Sequence, residues 1–356
     1  MASPSPSAGP APMEGHGVYN RSSAVQAAGF SPALPLLEEA ARRMGLPPAP
    51  QPVTIADYGS SQGRNSLAPI AAAIRVLRGR IGAGRPICVV HTDLPTNDFG
   101  SLFEAVETDP ASYLRDDPAT FAFAAGRSFY RQILPAGSVT LGWSSWAVQW
   151  LSRTPCAIPD HVQVACSRDA AARAAFARQA AEDWRGFLTH RAAELAPGGR
   201  LVVLTMALTE TGEFGYGAVL DAMVASLREL VAAGFVQAEE AARMAIPTVG
   251  RSRADLMAPF GAEGSFAGLR VERLELFQGD DLIWRDLARD GDAAAYGTRW
   301  AAFSRASVLP TLALDLDGDQ ARRDAFVARM EAGMASRLAA HPEPAVIPLA
   351  MMVIAR

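Results

Sequence analysis

The stretch that decides the fold is VTIADYGSSQGRN, residues 53–65. Its first residues are apolar and favour a buried strand, and the Ala-rich segment at 68–77 has helical composition. Gly59 and Gly63 lie between the two, and glycine permits the positive φ angles and close backbone approach of a tight turn. The sequence therefore predicts a strand, a glycine-rich loop and a helix, which together form the first β–α turn of an α/β domain.

The glycine spacing of this loop indicates its ligand. The pattern D-x-G-x-x-x-G at 57–63 differs from the G-x-G-x-x-G of dinucleotide-binding loops and lacks the G-K-[ST] of phosphate-binding loops. A pyrophosphate ligand is therefore disfavoured, and S-adenosylmethionine (SAM), which ends in an amino acid, is the leading candidate. A plain connection that binds no ligand is the alternative for the loop taken alone.

The composition excludes several classes of protein. The chain of 356 residues is 49% hydrophobic, so it can bury a large core, either in one α/β domain with insertions or in two domains. A formal net charge of −4 and the lack of an Arg-rich block interleaved with aromatics argue against nucleic-acid binding. The chain contains no lysine, which excludes a Schiff-base lysine mechanism.

Cysteine usage and the N-terminus predict a cytoplasmic protein. Cys88, Cys156 and Cys166 have no metal-ligand spacing, so we expect free thiols, no disulfide framework and no zinc site. Residues 1–12 have neither the basic nor the apolar region of a signal peptide, and no apolar run is long enough to span a membrane. We therefore predict a flexible tail on a protein that does not enter membranes.

Two later blocks carry candidate binding residues. Asp93 comes just past the second predicted strand, ICVV, where an acid in a doubly wound sheet accepts hydrogen bonds from ribose hydroxyls; a turn or loop-capping role is the alternative. Trp143, Trp146 and Trp150 follow the predicted strand SVTL at helical spacing. We give a core role and a pocket-lining role equal weight, because ligands bind at this edge of an open sheet.

The alternation of strands and helices ends at Thr211, after which the pattern is mainly helical. We therefore predict an α/β core with a helical cap inserted late in the chain. The predicted divisions are a flexible tail at 1–12, a SAM-binding α/β core with an N-terminal substrate-covering arm at 13–210, the helical cap at 211–268 and 291–340, and closing strands of the core sheet at 269–290 and 341–356.

Seven collinear blocks resemble the SABATH family of SAM-dependent carboxyl methyltransferases, here as a bacterial-type member. The blocks are MEGHGVYNRSSAVQ, IADYGSSQGRNS, TDLPTNDF, GRSFYRQILP, SSWAVQWLSRTP, LAPGGRLVVL and AEGSF. Plant members of this family methylate salicylate, benzoate, jasmonate and indole-acetate, and relatives methylate xanthine nitrogens. The resemblance implies a Rossmann-like class I methyltransferase sheet, SAM as the cofactor, a small carboxylic acid as the substrate and a homodimer.

The resemblance also implies the cofactor-binding residues, one position at a time. They are Tyr19 and Ser23 at the methionine end, with Asp57, Gly59, Ser60 and Asn65 in the loop beside it, Asp93 at the ribose, Leu94 against the adenine, and Ser128 and Phe129 at the adenine edge. A metal site described in some relatives has no counterpart in this sequence, so we predict none.

At the substrate end, the resemblance implies that Gln26 and Trp150 hold the carboxylate through side-chain N–H groups. Gln149, Trp146 and Leu220 fall on pocket positions, and we expect Trp143 and Phe303 to complete an aromatic wall. Such a wall suits a flat or apolar body attached to the carboxylate.

The sequence departs from the family pattern in ways that affect specificity. Ser60 replaces the usual Cys, Trp146 the usual Tyr and Gln149 a frequent His, and Leu220 stands where relatives carry a Trp that packs on aromatic substrates. The glycine segment near the N-terminus is also shorter than in plant members. Salicylate is therefore not transferred as the substrate, and the acid stays unnamed.

The expected chemistry needs neither a general acid nor a general base. A carboxylic acid with a pKa of about 4 is ionised at neutral pH, and the sulfonium methyl of SAM is already an electrophile. Gln26 and Trp150 are neutral donors that orient a carboxylate without a full counter-charge. We predict methyl ester formation on a small aromatic or apolar acid. The alternatives are N-methylation of a small heterocycle and a SAM-binding protein without turnover.

Overall fold

The computed structural model of the protein describes Met13 and residues 31–356. Its centre is one sheet of eight strands in the order β3-β2-β1-β4-β5-β8-β7-β6. In chain order the strands are β1 (Val53–Tyr58), β2 (Ile87–Asp93), β3 (Thr120–Gly126), β4 (Val139–Ser145), β5 (Leu195–Met206), β6 (Ser265–Phe266), β7 (Leu269–Gln278) and β8 (Pro348–Ala355). The first five run parallel, and β8 is antiparallel to both β5 and β7.

Helices cover both faces of the sheet. In the described part of the chain the α-helices are α1 (Leu34–Arg43), α2 (Arg64–Ile81), α3 (Phe99–Thr108), α4 (Ala170–Glu194), α5 (Gly217–Ala232), α6 (Ala238–Ala241), α7 (Arg253–Met257), α8 (Leu282–Asp290), α9 (Ala293–Ser307), α10 (Leu309–Ala313) and α11 (Gln320–Ala340). Short 3-10 helices lie at Ser31–Ala33, Val164–Cys166 and Ala258–Phe260.

The organising strand β1 lies in the middle of the sheet. Ile55 pairs in register with Val89 of β2 and with Leu141 of β4. Ile55 belongs to the core cluster on one face of the sheet and the next residue, Ala56, to the cluster on the other face. This alternation is what a strand buried on both faces requires, and it explains why the apolar run in the sequence is continuous.

The predicted first β–α turn and the predicted α/β core sheet are both confirmed. The segment predicted to close the sheet at 269–290 contains β7, but its second half is helix α8. Asp281 starts that helix, because its side chain accepts a hydrogen bond from the amide N–H of Trp284 at 2.9 Å.

The late helices pack on one another next to the carboxyl edge of the sheet. Helix α11 packs against both α5 and α9. A Cβ atom at Gly297 of α9 would lie 2.2 Å from the carbonyl oxygen of Ala335, so only glycine permits this approach of α9 to α11. Arg322 of α11 donates to both carboxylate oxygens of Glu240 in α6, and these bonds lower the pKa of Glu240 to about 2.

Among the described residues, every helix is too short or too polar to span a bilayer.

Candidate active site

A cavity of about 790 Å³ lies at the carboxyl edge of the parallel strands. Residues that follow β1, β2 and β4 line it, together with side chains of α5 and α9. Ligands of open α/β sheets bind at this edge where the strand order reverses, and here β1 has β2 on one side and β4 on the other. Volume and location both suit a small-molecule site.

The loop after β1 meets the cavity with bare backbone. Gly59 has a φ of +89°, and a Cβ atom there would lie 2.3 Å from the Cβ of Ala147. The amide N–H groups of Gly59 and Ser60 both donate to the carbonyl oxygen of Thr92 in β2, at 2.9 and 3.0 Å. Glycine at position 59 is therefore required by backbone angle and by space, and it lets this loop lie against the segment that follows β4.

Asp93 ends β2 with its carboxylate held by two backbone donors. The amide N–H of Ser61 donates to Oδ2 and that of Leu94 to Oδ1, both at 2.7 Å. Burial is the main influence on the Asp93 carboxyl and raises its pKa to about 6; the charge of Asp57 adds to the increase, and the two N–H donors oppose it. Both oxygens keep acceptor capacity for a further donor.

The surroundings of Asp93 fit a nucleoside. The Ser61 hydroxyl is buried without a hydrogen-bond partner among the described residues, and Ser61 lines the cavity. Leu94 and Phe129 add apolar surface to the same wall, and Ser128 adds a polar edge. A carboxylate and an unpaired hydroxyl next to apolar surface match a ribose diol and an adenine ring.

Three residues expected at the cofactor lie behind this wall. Asp57 is 1% exposed and contacts His91 Nδ1 at 2.8 Å, while His91 Nε2 contacts the hydroxyl of Tyr113 at 2.8 Å. The Ser60 hydroxyl points to the backbone of β2, and Asn65 lies in the first turn of α2. In the described part of the chain, none of the three is among the residues that line the cavity.

The chain turns sharply after β4 and carries Trp146, Gln149 and Trp150 on the cavity wall. Trp146 has a φ of +55°, which is rare for a bulky residue, and Trp150 forms an isolated bridge with Thr248. A helix through the three tryptophans, which their spacing favours, is therefore wrong. Trp143 lies within β4, is 1% exposed in the core and does not line the cavity, because the strand continues to Ser145 before the chain turns.

The polar groups of this segment differ in their freedom to bind a ligand. The Gln149 side chain is engaged, since Nε2 donates to the carbonyl oxygen of Trp146 at 2.6 Å and Oε1 accepts from Thr205 at 3.3 Å. Trp150 is half-buried, and its indole N–H has no hydrogen-bond partner among the described residues. The indole N–H of Trp146 is buried and also unpaired within that set. Trp150 is thus the donor of this segment that is both unpaired and accessible.

Apolar side chains from the late helices, the segments between them and the end of β5 close the far side of the cavity. They are Met206, Phe214, Val219, Leu220, Met223, Ile246, Phe303 and Val308. Tyr216 lines the same side; its ring stacks on Phe303 at 6.3 Å between centroids and contacts Trp300 edge-on at 6.2 Å. The cavity therefore has a polar half at β1 and β2 and an apolar half at α5 and α9.

The structure brings most of the predicted site residues to this one cavity. Gly59, Asp93, Leu94, Ser128 and Phe129 line its polar half, and Trp146, Gln149, Trp150, Leu220 and Phe303 line the remainder. The predictions for Tyr19, Ser23 and Gln26 fall outside the residues that the structure describes.

Several lining residues were missed by sequence reasoning. Ser61, Tyr130, Asp183, Tyr216 and Thr248 all reach the cavity. Tyr130 stood inside the block GRSFYRQILP, which was an available signal, but Asp183 lies in a long Ala-rich helix where a charged residue is ordinarily exposed. The positions 13 and 31–356 contain no group of three or more His, Cys, Asp or Glu side chains that could hold a metal ion.

Sequence comparison identifies relatives over most of the chain. The family described as SAM dependent carboxyl methyltransferase matches residues 11–353. Methyltransferase LUC1 from a Fusarium species is 30% identical over 254 residues, which are 69% of this chain and 65% of the Fusarium protein. Indole-3-acetate O-methyltransferase 1 from Arabidopsis thaliana is 28% identical over 317 residues, which are 82% of this chain and 81% of that protein.

Structural comparison agrees with this at the level of the fold. The structure of loganic acid methyltransferase with SAH has a TM-score of 0.76 at 22% identity, and the match covers 97% of this chain and 98% of that one. The predicted family resemblance is confirmed, since the family match extends over nearly all residues from the first block to the last strand. The chain belongs to the family of SAM-dependent carboxyl methyltransferases.

Proposed function

We propose that this protein transfers the methyl group of SAM to the carboxylate of a small acid with an aromatic or apolar body and so forms its methyl ester. The observation that carries the proposal is a cavity lined on one wall by Asp93 and on another by Trp150, whose indole N–H is unpaired among the residues that the structure describes. The wall with Asp93 suits a nucleoside, and the wall with Trp150 suits a carboxylate oxygen that accepts a hydrogen bond. Because both ligands would share one cavity, a methyl group can pass from one to the other.

The residues of the polar half would hold the cofactor. Asp93 would accept hydrogen bonds from the ribose diol, with the Ser61 hydroxyl nearby as a further partner, and Leu94 and Phe129 would flank the adenine. When bound, SAM supplies a methyl group on a positively charged sulfur, which needs no further activation. Tyr19 and Ser23, outside the described residues, are proposed for the methionine end.

The chain's own task is then to orient the acid and to exclude water. Trp150, together with Gln26 outside the described residues, would donate to one carboxylate oxygen and leave the other in line with the methyl group. The described residues that line the cavity include no histidine. None is required, because the acid arrives already ionised. The apolar half would remove water from the nucleophile.

The apolar half also supports the substrate class. Leu220 and Phe303 face a volume that a flat or apolar body can fill. One relative is named an indole-3-acetate O-methyltransferase and another, from Clarkia breweri, a salicylate carboxymethyltransferase. We propose an acid of this chemical class, covered by the late helices at 211–268 and 291–340 acting as a cap.

We further propose a cytoplasmic homodimer. The family resemblance supports the dimer, and three cysteines without a disulfide support a reducing compartment. Light scattering on the eluting protein tests the dimer: a monomer at micromolar concentration would remove it.

The test of the function is a panel of aromatic, aliphatic and heterocyclic acids with labelled SAM, run on the wild type and on Trp150→Phe. This substitution keeps most of the packing and removes one indole donor. It should cost about 1–3 kcal/mol of transition-state stabilisation, which is about a 5- to 150-fold lower kcat/KM. The affinity for S-adenosylhomocysteine should stay unchanged, since Trp150 is on the acid side.

Three outcomes would contradict the proposal. Labelled product on a heterocycle nitrogen, with no ester from any acid, would favour N-methylation. Tight S-adenosylhomocysteine binding without turnover of any compound would favour a non-catalytic SAM-binding protein. Wild-type kinetics in Trp150→Phe would remove Trp150 from the carboxylate site.

A further inference from the structure

The segment that carries Trp150 is fixed through its backbone at every residue from 148 to 152. All five partners lie at least 20 positions away in sequence. Three backbone carbonyl oxygens accept hydrogen bonds: that of Val148 from Arg251, that of Gln149 from the amide N–H of Val249, and that of Trp150 from the Tyr130 hydroxyl. Two amide N–H groups donate: that of Leu151 to the carbonyl oxygen of Pro247 and that of Ser152 to the Asp183 carboxylate. The distances run from 2.5 Å for the bonds of Arg251 and Tyr130 to 3.0 Å for that of Val249. An isolated loop does not order itself in this way, so these partners decide where the indole N–H points.

Arg251 is the most unusual of these partners. Its side chain is 2% exposed, and its guanidinium donates to the carbonyl oxygens of Val148 at 2.5 Å and Ala180 at 3.3 Å. It lies beside the Tyr130 hydroxyl, which donates to the carbonyl oxygen of Trp150, two residues after Val148. Burial lowers the pKa of Arg251, which marks an unfavourable site for its charge. A buried cation is stable only where its hydrogen bonds offset the free energy lost when its hydration shell is removed.

The backbone of Arg251 ties the same segment to the sheet. Its amide N–H donates to Met206 O at 3.3 Å, its carbonyl oxygen accepts from Leu208 N at 3.1 Å, and Thr248 bridges to Trp150. A Cβ atom at Gly250 would lie 2.4 Å from the carbonyl oxygen of Ala207, so residues 248–251 pack directly against the chain at the end of β5. Residues 248–251 thus lie between the Trp150 segment and the chain that follows β5.

A second buried arginine holds the neighbouring segment of the cavity wall. Arg191 is 0% exposed and donates to the carbonyl oxygens of Phe129 at 2.7 Å and Arg131 at 3.0 Å. Those carbonyls flank Tyr130 in the segment beside the proposed adenine site. The two arginines therefore hold adjacent segments of one cavity, Arg251 at Val148 and Arg191 on both sides of Tyr130.

We propose that Arg251 is a positioning residue for the substrate carboxylate: it fixes the backbone at Val148 and, through the Tyr130 hydroxyl and Trp150 O, the direction of the Trp150 indole N–H. This rests on the proposed function, in which Trp150 donates to the carboxylate. Arg251 touches neither ligand, and its effect is on the acid alone.

The test uses Arg251→Lys and Tyr130→Phe in the full chain, each alone and combined with Trp150→Phe. Lysine keeps the charge but cannot reach two carbonyls with a planar fork. Each single variant should lower kcat/KM for the best acid of the panel by about 10- to 100-fold, the scale on which a displacement of ~1 Å reduces rates. In the Trp150→Phe background, the same changes should have little further effect, because the donor they orient is already gone.

The comparison variant is Arg191→Lys. Because it loosens the backbone on both sides of Tyr130, it should impair both S-adenosylhomocysteine binding and use of the acid, whereas Arg251→Lys should impair use of the acid alone. Amide hydrogen exchange adds a readout independent of turnover: in Arg251→Lys, the amides of Leu151 and Ser152 should exchange faster while S-adenosylhomocysteine affinity is kept.

The outcomes separate the two proposals. Wild-type kinetics in Trp150→Phe would overturn the proposed function, and this inference with it. A second outcome is that Trp150→Phe lowers kcat/KM, but Arg251→Lys and Tyr130→Phe lower it by the same factor whether or not Trp150 is present. That outcome would leave the proposed function standing and overturn the positioning role. Unchanged exchange at residues 151 and 152 in Arg251→Lys would overturn it as well, whether or not an acid has been found.

Discussion

The two halves of the cavity are built in different ways. The polar half takes its residues from the turns that directly follow β1, β2 and β3. These residues all lie within three positions of a strand end: Gly59, Ser61, Asp93, Leu94, Ser128 and Phe129. The apolar half takes residues from positions 146 to 308, on segments that meet only in the folded chain. The difference teaches that a cofactor site can be encoded locally in β–α turns, whereas the substrate site depends on long-range packing.

The largest effect should come from breaking the local half at Gly59. Gly59→Ala places a Cβ atom 2.3 Å from Ala147 at a φ of +89°. The backbone strain is about 1–3 kcal/mol and overpacking adds about 1–3 kcal/mol. Calorimetric titration should show S-adenosylhomocysteine binding weakened on the order of 100-fold or more, with a lower Tm.

The control for this change is Gly79→Ala, at an exposed helical position with no heavy atom within 4 Å of a new Cβ. It should be neutral or stabilise the protein by about 0.4–1 kcal/mol. If Gly59→Ala bound S-adenosylhomocysteine as well as Gly79→Ala does, the loop would not be held against the cavity.

The next effect concerns the charge of Asp93. The ionised carboxylate accepts hydrogen bonds from the ribose hydroxyls, and burial raises the pKa of Asp93 to about 6. S-adenosylhomocysteine should therefore bind with full affinity above that pH and lose affinity as the pH falls below it. The dissociation constant should rise about tenfold per pH unit there, the slope of a single protonation. Asp93→Asn should bind more weakly by about 1.5–3 kcal/mol per lost charge-assisted bond and without this slope.

A pH-independent affinity in the wild type between pH 5 and 8 would contradict the ribose assignment. So would the same slope in Asp93→Asn, since another group would then be titrating.

A smaller effect should appear in the long-range half. Leu220 lines the apolar wall, so Leu220→Trp should reduce the space for the acid. The ratio of kcat/KM between large and small acids should change by about tenfold, the usual effect of pocket shape on discrimination between substrates. The affinity for S-adenosylhomocysteine should stay as it is. Leu220→Met, which conserves volume, serves as the control. An unchanged ranking in the Trp variant would remove residue 220 from substrate recognition.

The smallest expected effect is none. With SAM saturating and a pre-ionised acid, kcat/KM should be flat from about pH 6.5 to 8, because the pKa of the acid lies roughly two units below that window. A rise with a midpoint near pH 6.5 would instead require a proton acceptor. The first suspect would be His16, which lies outside the described residues.

The sequence predicted much of this molecule where the signal is local. The strand, loop and helix of the first turn, Asp93 after β2 and the loss of alternation after Thr211 can all be read from periodicity and glycine spacing. Trp143 was misplaced because its spacing to Trp146 and Trp150 imitates a helix, while in the structure the strand continues past it and then turns.

Sequence alone determined the β–α turn, the acidic end of β2 and, by resemblance, the family and its cofactor. These follow from a few adjacent residues, since backbone angles and strand alternation are short-range properties. Only the tertiary structure decided that Asp57 faces His91, that Arg251 and Tyr130 hold the Trp150 segment, and that the far wall is apolar. Those contacts join residues separated by 20 to more than 100 positions. They depend on how whole elements pack, and no local pattern records that.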